Sequence, residues 1–162
     1  MSSRVDIAGA GAFGTALAIT LAQEGHGVTL WARNGAEQIE AARENTARLA
    51  GHSLPSNVTV TGDVTALSAD ILLLAIPTQK LGDFLDETDL DARYVLCCSK
   101  GIHRATGLGP TALIAQKRPK AIVAQLTGPS FADDIAAGLP TALTLACADE
   151  GAGEMLQSTL ST

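Results

Sequence analysis

Hydrophobic and polar residues form alternating blocks along the chain, and these blocks predict strands and helices in turn. Short apolar runs, typical of strands buried on both faces of a parallel sheet, occupy residues 5–8, 28–31, 71–76, 94–98, 121–124 and 141–146. A shorter alternating segment at residues 58–61 predicts one more strand. Helical patterns separate most of these runs. The β-α-β order predicts a doubly wound, mostly parallel α/β sheet with right-handed crossovers.

The first apolar run leads directly into a glycine motif. Gly9, Gly11 and Gly14 form the pattern G-x-G-x-x-G, and a helical pattern follows them. Gly9 permits a tight turn, Gly11 lets the backbone approach a pyrophosphate, and Gly14 lets the helix pack closely on the strand. The N-terminus of that helix would offer free N–H groups to phosphates. The motif also occurs in purely structural turns, but its position after a strand predicts a Rossmann-like dinucleotide-binding domain.

Local signals add expectations about helices and loops. Residues 36–49 are predicted as one helix, and residues 151–162 as a helix without a cap and with little packing. Gly128 is predicted as N-cap and Pro129 as the first residue of a helix that ends at Gly138. Asp133 and Asp134 would complement the dipole of that helix rather than bind a metal. His26 is expected in a capping or solvated position, and His103 in an exposed loop, where it is a weak candidate acid or base.

Composition narrows the class of protein. A chain of 162 residues with 46% hydrophobic residues predicts one ordered domain. A net charge of −6 argues against a nucleic-acid partner, which would require clustered Lys and Arg. No apolar run reaches the length of a membrane span. The cysteines, at positions 97, 98 and 147, lack the spacing of zinc ligands or of a disulfide framework, so a reduced, cytoplasmic protein without a metal site is expected.

Candidate ligand-binding residues follow the ends of predicted strands, where open parallel sheets bind ligands. Arg33 follows the second strand, where an acidic residue would bind the ribose of NAD; an arginine favours the 2′-phosphate of NADP, unless it is only a solvated surface residue. Pro77 either begins a helix or forms a wall beside a nicotinamide. Lys100 either holds a substrate oxygen or phosphate, or lies on the surface. The N–H groups near Gly128 and the Ser130 hydroxyl suit a substrate hydroxyl or phosphate.

Together these stretches resemble the bacterial NAD(P)-dependent glycerol-3-phosphate dehydrogenases. The resemblance covers nearly the whole chain, in the order of the family, at residues 9–18, 30–33, 45, 51–57, 75–77, 99–102, 127–132 and 138–142. The Ser-Lys-Gly and Gly-Pro-Ser-Phe-Ala stretches are far more specific than the glycine motif. Phe13 stands where the family usually has Trp or Tyr, and Ala50 replaces a common Pro.

The resemblance implies hydride transfer between NAD(P)H and dihydroxyacetone phosphate, forming sn-glycerol 3-phosphate for phospholipid synthesis. It implies that the cofactor contacts Ala12, Phe13, Arg33, Lys100 and Ala132, and that the substrate contacts Lys100, Gly128 and Ser130. Lys100 would polarise the C2 oxygen. The family also carries a second, helical domain with the proton-transferring lysine, which is absent from residues 1–162; the full-length protein could form a homodimer.

Two other hypotheses compete with this one. The chain could be the cofactor domain of a β-hydroxyacid or 6-phosphogluconate-type dehydrogenase, which shares the glycine motif but not the motifs around Lys100 and Gly128. It could also be a non-catalytic nucleotide-binding module. This hypothesis is reasonable because residues 1–162 do not include the second, helical domain of the family. Turnover with 3-hydroxy acids would support the first alternative, and cofactor binding without turnover the second.

Overall fold

The computed structural model describes residues 3–162 as one sheet of seven strands with helices packed on both faces. The strands are β1 (Arg4–Ala8), β2 (Gly27–Trp31), β3 (Val58–Thr61), β4 (Ile71–Leu74), β5 (Tyr94–Cys97), β6 (Ile122–Thr127) and β7 (Thr144–Cys147). The α-helices are α1 (Ala12–Gln23), α2 (Ala36–Ala42), α3 (Thr78–Glu87), α4 (Pro110–Lys117), α5 (Ala132–Ala136) and α6 (Glu150–Leu160). A short 3₁₀ turn, Val64–Ala66, precedes β4.

The strand order is β3-β2-β1-β4-β5-β6-β7, which confirms the predicted doubly wound fold. Strand β1 pairs in parallel with both β2 and β4, so the chain builds the sheet outward from β1 in one direction and then from β4 in the other. This reversal leaves a crevice beyond the carboxyl ends of β1 and β4. Ligands of open parallel sheets bind in such a crevice.

Successive side chains of the central strands point to opposite faces of the sheet, and each face has its own hydrophobic core. On β4, Leu73 belongs to the core formed with α1, α5 and α6, whereas Leu72 and Leu74 belong to the core formed with α3 and α4. All three side chains are at most 3% exposed. Because successive residues of a strand face opposite sides of the sheet, a continuous apolar run is needed to fill both cores.

The last strand keeps the β-α-β order but not the parallel direction, because β7 runs antiparallel to β6 in an otherwise parallel sheet. Thr127, the last residue of β6, pairs with Thr144, the first residue of β7. The connection through α5 therefore begins and ends at the carboxyl end of β6. Because β7 starts at that end, it runs in the direction opposite to β6. Strand β7 also begins at residue 144 rather than at 141.

Two helices have other boundaries than those predicted. Helix α2 ends at Ala42 instead of residue 49, because Arg43 adopts a left-handed conformation with φ of 52°. Helix α5 begins at Ala132 with Phe131 as its N-cap, so Gly128 and Pro129 do not start it. They lie in the irregular connection after β6. Strand β6 itself ends at Thr127, three residues later than predicted. Gly138, with φ of 69°, follows the end of α5 as expected.

Helix α6 is capped and packed, contrary to the expectation from the sequence. The Asp149 carboxylate accepts a hydrogen bond of 2.8 Å from the N–H of Ala152. Ala152 and Leu156 are 8% and 0% exposed and face the core beside β7. Local patterns did not reveal this packing, because Leu156 belongs to a core that it shares with residues far away in the chain, such as Leu73 of β4.

Both histidines discussed above are less exposed than expected. His26 does cap α1, since its N–H donates to the carbonyl of Leu21, but its side chain is only 4% exposed. Its Nδ1 accepts a hydrogen bond of 3.2 Å from the N–H of Ser3. His103 lies in the loop after β5, half-buried, with Nδ1 3.0 Å from the hydroxyl of Thr106. Neither histidine lines the cleft described below.

The packing of α6 predicts a large effect of truncating Leu156. Leu156→Ala should lower the free energy of unfolding by about 3 kcal/mol, because it leaves a cavity in a fully buried position. Gln157→Ala, the neighbouring exposed position, should change it by less than about 0.5 kcal/mol. Urea denaturation of both variants measures the difference. Equal effects would show that α6 does not pack on the core.

Candidate functional site

A cleft of about 1120 Å³ lies beyond the carboxyl ends of the strands, at the crevice next to β1 and β4. The glycine loop after β1 forms one wall, and the segments after β2, β4, β5 and β6 form the others. Most of the predicted site residues line it: Gly9, Gly11, Ala12, Phe13, Arg33, Pro77, Lys100, Gly128 and Ser130. Gly14 lies below the loop, and Ala132 packs against the core outside the cleft lining.

The backbone of the glycine loop, the first turn of α1 and the backbone at Ala75, after β4, approach one another closely. A Cβ atom on Gly9, whose φ is 115°, would lie 2.4 Å from the carbonyl oxygen of Ala75. A Cβ atom on Gly14 would lie 2.0 Å from the carbonyl oxygen of Gly9. In contrast, a Cβ atom on Gly11 would meet no protein atom within 4 Å, because that position faces the cleft. Gly9 and Gly14 therefore serve packing, and Gly11 leaves room for a ligand.

The N-terminus of α1 points free donors at this space. Gly11 is the N-cap, and no side chain caps the helix. Within residues 3–162, no acceptor contacts the N–H groups of Gly11, Ala12 or Phe13. The first turn also contains no acidic residue. Unpaired N–H groups together with the positive end of the helix dipole suit an anion such as a phosphate.

Two arginines line the same cleft, of which the sequence predicted one. Arg33 follows β2 and Arg48 follows α2; both are exposed. In the described part of the chain, neither guanidinium has an ion-pair or hydrogen-bond partner. Arg48 was missed because it was placed on a helix over residues 36–49. Since α2 ends at Ala42, residues 43–49 instead turn back to the cleft.

Lys100 is held at the end of β5 by contacts to its backbone. The hydroxyl of Thr78 donates a 2.6 Å hydrogen bond to the carbonyl of Lys100, and the amide of Gln125 donates to the carbonyls of Cys97 and Ser99. These bonds fix the direction in which the Lys100 side chain leaves the backbone. Its Nζ donates to the carbonyl of Gly128 at 3.3 Å and is otherwise exposed, so the ammonium is available to an anionic or carbonyl oxygen.

Gly128 and Ser130 lie at the rim opposite the glycine loop, close to the connection that leads into β7. A Cβ atom on Gly128 would lie 2.7 Å from the carbonyl oxygen of Ala142, so only glycine lets the two segments approach. The Ser130 hydroxyl donates to the same carbonyl at 3.2 Å. The structure therefore brings Lys100, Gly128 and Ser130 together at one side of the cleft, as the sequence predicted.

Trp31 and Cys98 also line the cleft. The indole N–H of Trp31 donates to the carbonyl of Gly62 at 3.1 Å, and its ring packs on Phe84 with centroids 5.3 Å apart. Burial, followed by the proximity of Cys97, raises the pKa of the Cys98 thiol far above its usual range. Cys98 thus stays protonated at neutral pH and is a poor nucleophile.

A second cavity, of about 470 Å³, lies between α1, α5, α6 and β7. Its lining is mixed polar and apolar and includes Glu150 and Glu154 but no Lys or Arg among the described residues. It is therefore a poor site for phosphates. Residues 3–162 also bring no three His, Cys, Asp or Glu side chains together as metal ligands, and none of their helices is long and apolar enough to cross a membrane.

The fold and the cleft together define the class of protein. A doubly wound sheet, a glycine loop after its first strand and a cationic cleft at the reversal of strand order are the features of a dinucleotide-binding domain of the Rossmann type. The comparisons with known proteins agree with this class and make it more specific. The model of the family described as "NAD-dependent glycerol-3-phosphate dehydrogenase N-terminus" matches residues 4–153.

Relatives from bacteria are similar over nearly the whole chain. A glycerol-3-phosphate dehydrogenase [NAD(P)+] from Paracoccus denitrificans is 56% identical over 160 residues, covering 98% of this chain and 50% of the relative. The corresponding protein of Jannaschia sp. is 52% identical, with the same coverage. Among solved structures, the glycerol-3-phosphate dehydrogenase of Coxiella burnetii superposes with a TM-score of 0.89 at 26% identity, covering 99% of this chain and 51% of that one.

The chain therefore belongs to the NAD-dependent glycerol-3-phosphate dehydrogenase family and matches its N-terminal part. It spans about half the length of the curated relatives that it matches. The resemblance stated from the sequence motifs is thus confirmed, and the alternative assignment to a β-hydroxyacid or 6-phosphogluconate-type dehydrogenase is not supported.

The contacts of the glycine loop predict that an alanine destabilises the fold at Gly14 but is tolerated at Gly11. Gly14→Ala should lower the free energy of unfolding by about 2 kcal/mol or more, because the added methyl group would overlap the carbonyl of Gly9. Gly11→Ala should cost less than about 1 kcal/mol, the usual penalty for alanine as an N-cap. Thermal or urea unfolding tests this; a Gly14→Ala chain as stable as the Gly11→Ala chain would contradict the packing described.

Proposed function

We propose that this chain is the cofactor domain of a glycerol-3-phosphate dehydrogenase that reduces dihydroxyacetone phosphate to sn-glycerol 3-phosphate for phospholipid synthesis. The reaction is reversible hydride transfer between the nicotinamide of NAD(P) and C2 of the substrate. The observation that carries the proposal is the cleft, where free N–H groups and unpaired cations face the same space. The bacterial relatives, which are named glycerol-3-phosphate dehydrogenases [NAD(P)+], support the reaction and the choice of cofactor.

The glycine loop and its neighbours are proposed to bind the dinucleotide. The N–H groups of Gly11, Ala12 and Phe13 suit the pyrophosphate, since no described residue uses them. The nicotinamide supplies the hydride when the cofactor is bound. Pro77, at the start of α3, lines the cleft and would form a wall beside the ring. Ala132, which the resemblance also implies as a cofactor contact, would need the segment before α5 to adjust on binding.

Arg33 and Arg48 favour NADP over NAD. The end of β2 carries no Asp or Glu that would bind a ribose 2′-hydroxyl and repel a 2′-phosphate. Instead, two guanidinium groups without partners among the described residues line this part of the cleft. A guanidinium pairs with phosphate through two parallel hydrogen bonds. We expect Arg33 to be the principal ligand of the 2′-phosphate and Arg48 to contribute charge.

Lys100, Gly128 and Ser130 are proposed to hold the substrate. The Lys100 ammonium would polarise the C2 oxygen and stabilise negative charge that develops on it during hydride transfer. The Ser130 hydroxyl would bind a substrate hydroxyl or phosphate. The proton-transferring group is expected in a second, helical domain, in the half of the relatives that this chain does not cover. Two large exposed side chains beside the site, Ile102 and Phe131 at 63% and 75% exposure, are suited to contact that half.

The cellular setting is part of the same proposal. We expect a cytoplasmic enzyme, because its substrate and cofactor are small phosphorylated metabolites and its cysteines are unpaired. A homodimer of the full-length protein remains a prediction, which sedimentation would test.

The first prediction concerns cofactor preference. Arg33→Ala should weaken NADPH binding by about tenfold or more while changing NADH binding by less than about twofold, because only NADPH carries the 2′-phosphate. Calorimetric titration of both cofactors measures the two ratios. Arg48→Ala should have the same selectivity with a smaller effect.

Arg4→Ala is the matched control for these variants. Arg4 begins β1, at the opposite end of the strand from the glycine loop, and removing it changes the net charge equally. It should leave both dissociation constants unchanged. Equal losses of NADPH and NADH affinity in Arg33→Ala would contradict the assignment of Arg33 to the 2′-phosphate.

The second prediction concerns turnover. A chimera in which this chain replaces the matching half of the Paracoccus denitrificans relative should oxidise NADPH in the presence of dihydroxyacetone phosphate. Lys100→Met in that chimera should lower kcat by about 100-fold, the usual effect of removing one electrostatic stabiliser of the transition state. Lys120→Met, an exposed lysine before the amino end of β6, should leave kcat unchanged.

Each outcome of this assay decides between hypotheses. Activity with 3-hydroxy acids instead of dihydroxyacetone phosphate would favour the other dehydrogenase group. Cofactor binding by a folded chimera without turnover would favour a non-catalytic nucleotide-binding module. A Lys100→Met chimera with normal kcat would remove Lys100 from the reaction while leaving the cofactor assignment intact.

A further inference from the structure

One buried amide contacts the glycine loop from a distant part of the chain. Asn45, 1% exposed, donates hydrogen bonds from Nδ2 to the carbonyl of Ala10 at 2.9 Å and to the hydroxyl of Thr15 at 2.8 Å. A primary amide has two N–H groups, and these two acceptors use both of them. The side chain therefore joins the loop before α1 to the first turns of α1.

This contact determines the orientation of the peptide between Ala10 and Gly11. In a planar trans peptide, the C=O and the N–H point in opposite directions. Because the Ala10 carbonyl is bound to the buried Asn45, the N–H of Gly11 is turned the other way, towards the cleft that Gly11 lines. A rotated peptide would instead present the carbonyl oxygen to the cleft, where it would repel an anion.

Asn45 is itself held in place by the segment that carries it. Its backbone carbonyl accepts hydrogen bonds from the N–H groups of Arg48 and Leu49, and Leu49 is 2% exposed. Two residues earlier, the guanidinium of Arg43 donates to the carbonyl of Pro55 at 2.6 Å. The Asn45 amide is therefore a fixed donor, not a mobile side chain that would follow the loop.

We propose that Asn45 is a positioning residue for the cofactor, which orients the glycine loop so that its N–H groups meet the pyrophosphate. The inference rests on the proposed function, because it concerns the same cleft. Asn45 does not line the cleft and acts only through Ala10 and Thr15. Its contribution should be the same for NADPH and NADH, since both carry the pyrophosphate.

The test replaces Asn45 by a residue of similar shape without donors. Asn45→Leu should raise the dissociation constants of both NADPH and NADH by about tenfold, as expected for losing preorganised hydrogen bonds, and should leave their ratio unchanged. Calorimetric titration of the purified chain measures both constants. An unchanged ratio distinguishes this effect from that of Arg33→Ala, which acts on NADPH alone.

Asn57→Leu is a matched control, because the Asn57 side chain contacts the C-terminal end of α1 whereas Asn45 contacts its N-terminal end. The Asn57 amide also makes two hydrogen bonds to backbone, to the carbonyls of Ala22 and His26, both at 2.7 Å. Asn57→Leu should lower the melting temperature but leave both dissociation constants unchanged. A loss of affinity equal to that of Asn45→Leu would show a general structural effect and overturn the proposal.

A pair of Thr15 variants tests the proposal if Asn45→Leu does not fold. Thr15→Val removes one acceptor of the Asn45 amide and should raise both dissociation constants by about threefold, whereas Thr15→Ser keeps the hydroxyl and should restore wild-type values. Unchanged affinity in a folded Asn45→Leu or Thr15→Val chain overturns the proposal, as does a changed ratio of the two constants. Failure of the wild-type chain to bind either cofactor overturns the proposed function, and this inference with it.

Discussion

The close approach of α1 to the turn after β1 is the constraint on which the site depends. Gly14 lies so near the carbonyl of Gly9, and Gly9 so near that of Ala75, that a side chain at either position would separate the helix from the sheet. This contact places the N-terminus of α1 directly beyond the carboxyl ends of β1 and β4. The helix thereby brings its unpaired N–H groups to the one place where the doubly wound sheet opens a crevice.

The rest of the cleft is arranged around that helix end. Its lining carries four cations, Arg33, Arg48, Lys80 and Lys100, against two carboxylates, Asp83 and Glu87, so positive charge predominates. Arg33, Arg48 and Lys100 come from three separate strand or helix ends, yet they line one space. The chain as a whole carries a net charge of −6, so these cations are a local concentration and not a general property of the surface. A site of this kind suits a small anionic ligand, in agreement with the proposed dinucleotide.

The sequence predicted those parts of the fold that local patterns determine. Continuous apolar runs identified the central strands, because a strand such as β4 must fill cores on both faces, and the glycine spacing identified the loop. Features that depend on distant contacts were missed. The antiparallel β7, the packing of Leu156 and the early end of α2 at Arg43 all follow from tertiary geometry. The last of these also hid Arg48, since a helix through residue 49 would not have brought it to the cleft. Asn45 was noted as a motif residue, but its contacts to Ala10 and Thr15 were not foreseen.

The central claim is that this cleft binds a dinucleotide, and fluorescence of Trp31 tests it most directly. Trp31 is the only tryptophan in the sequence and lines the cleft two residues before Arg33. Titration of the folded chain with NADPH should change Trp31 emission with saturation, at lower concentrations than titration with NADH. Saturation at equal concentrations would retain the cleft as the site but remove the preference for NADP. No change with either cofactor, together with no binding by calorimetry, would contradict the account.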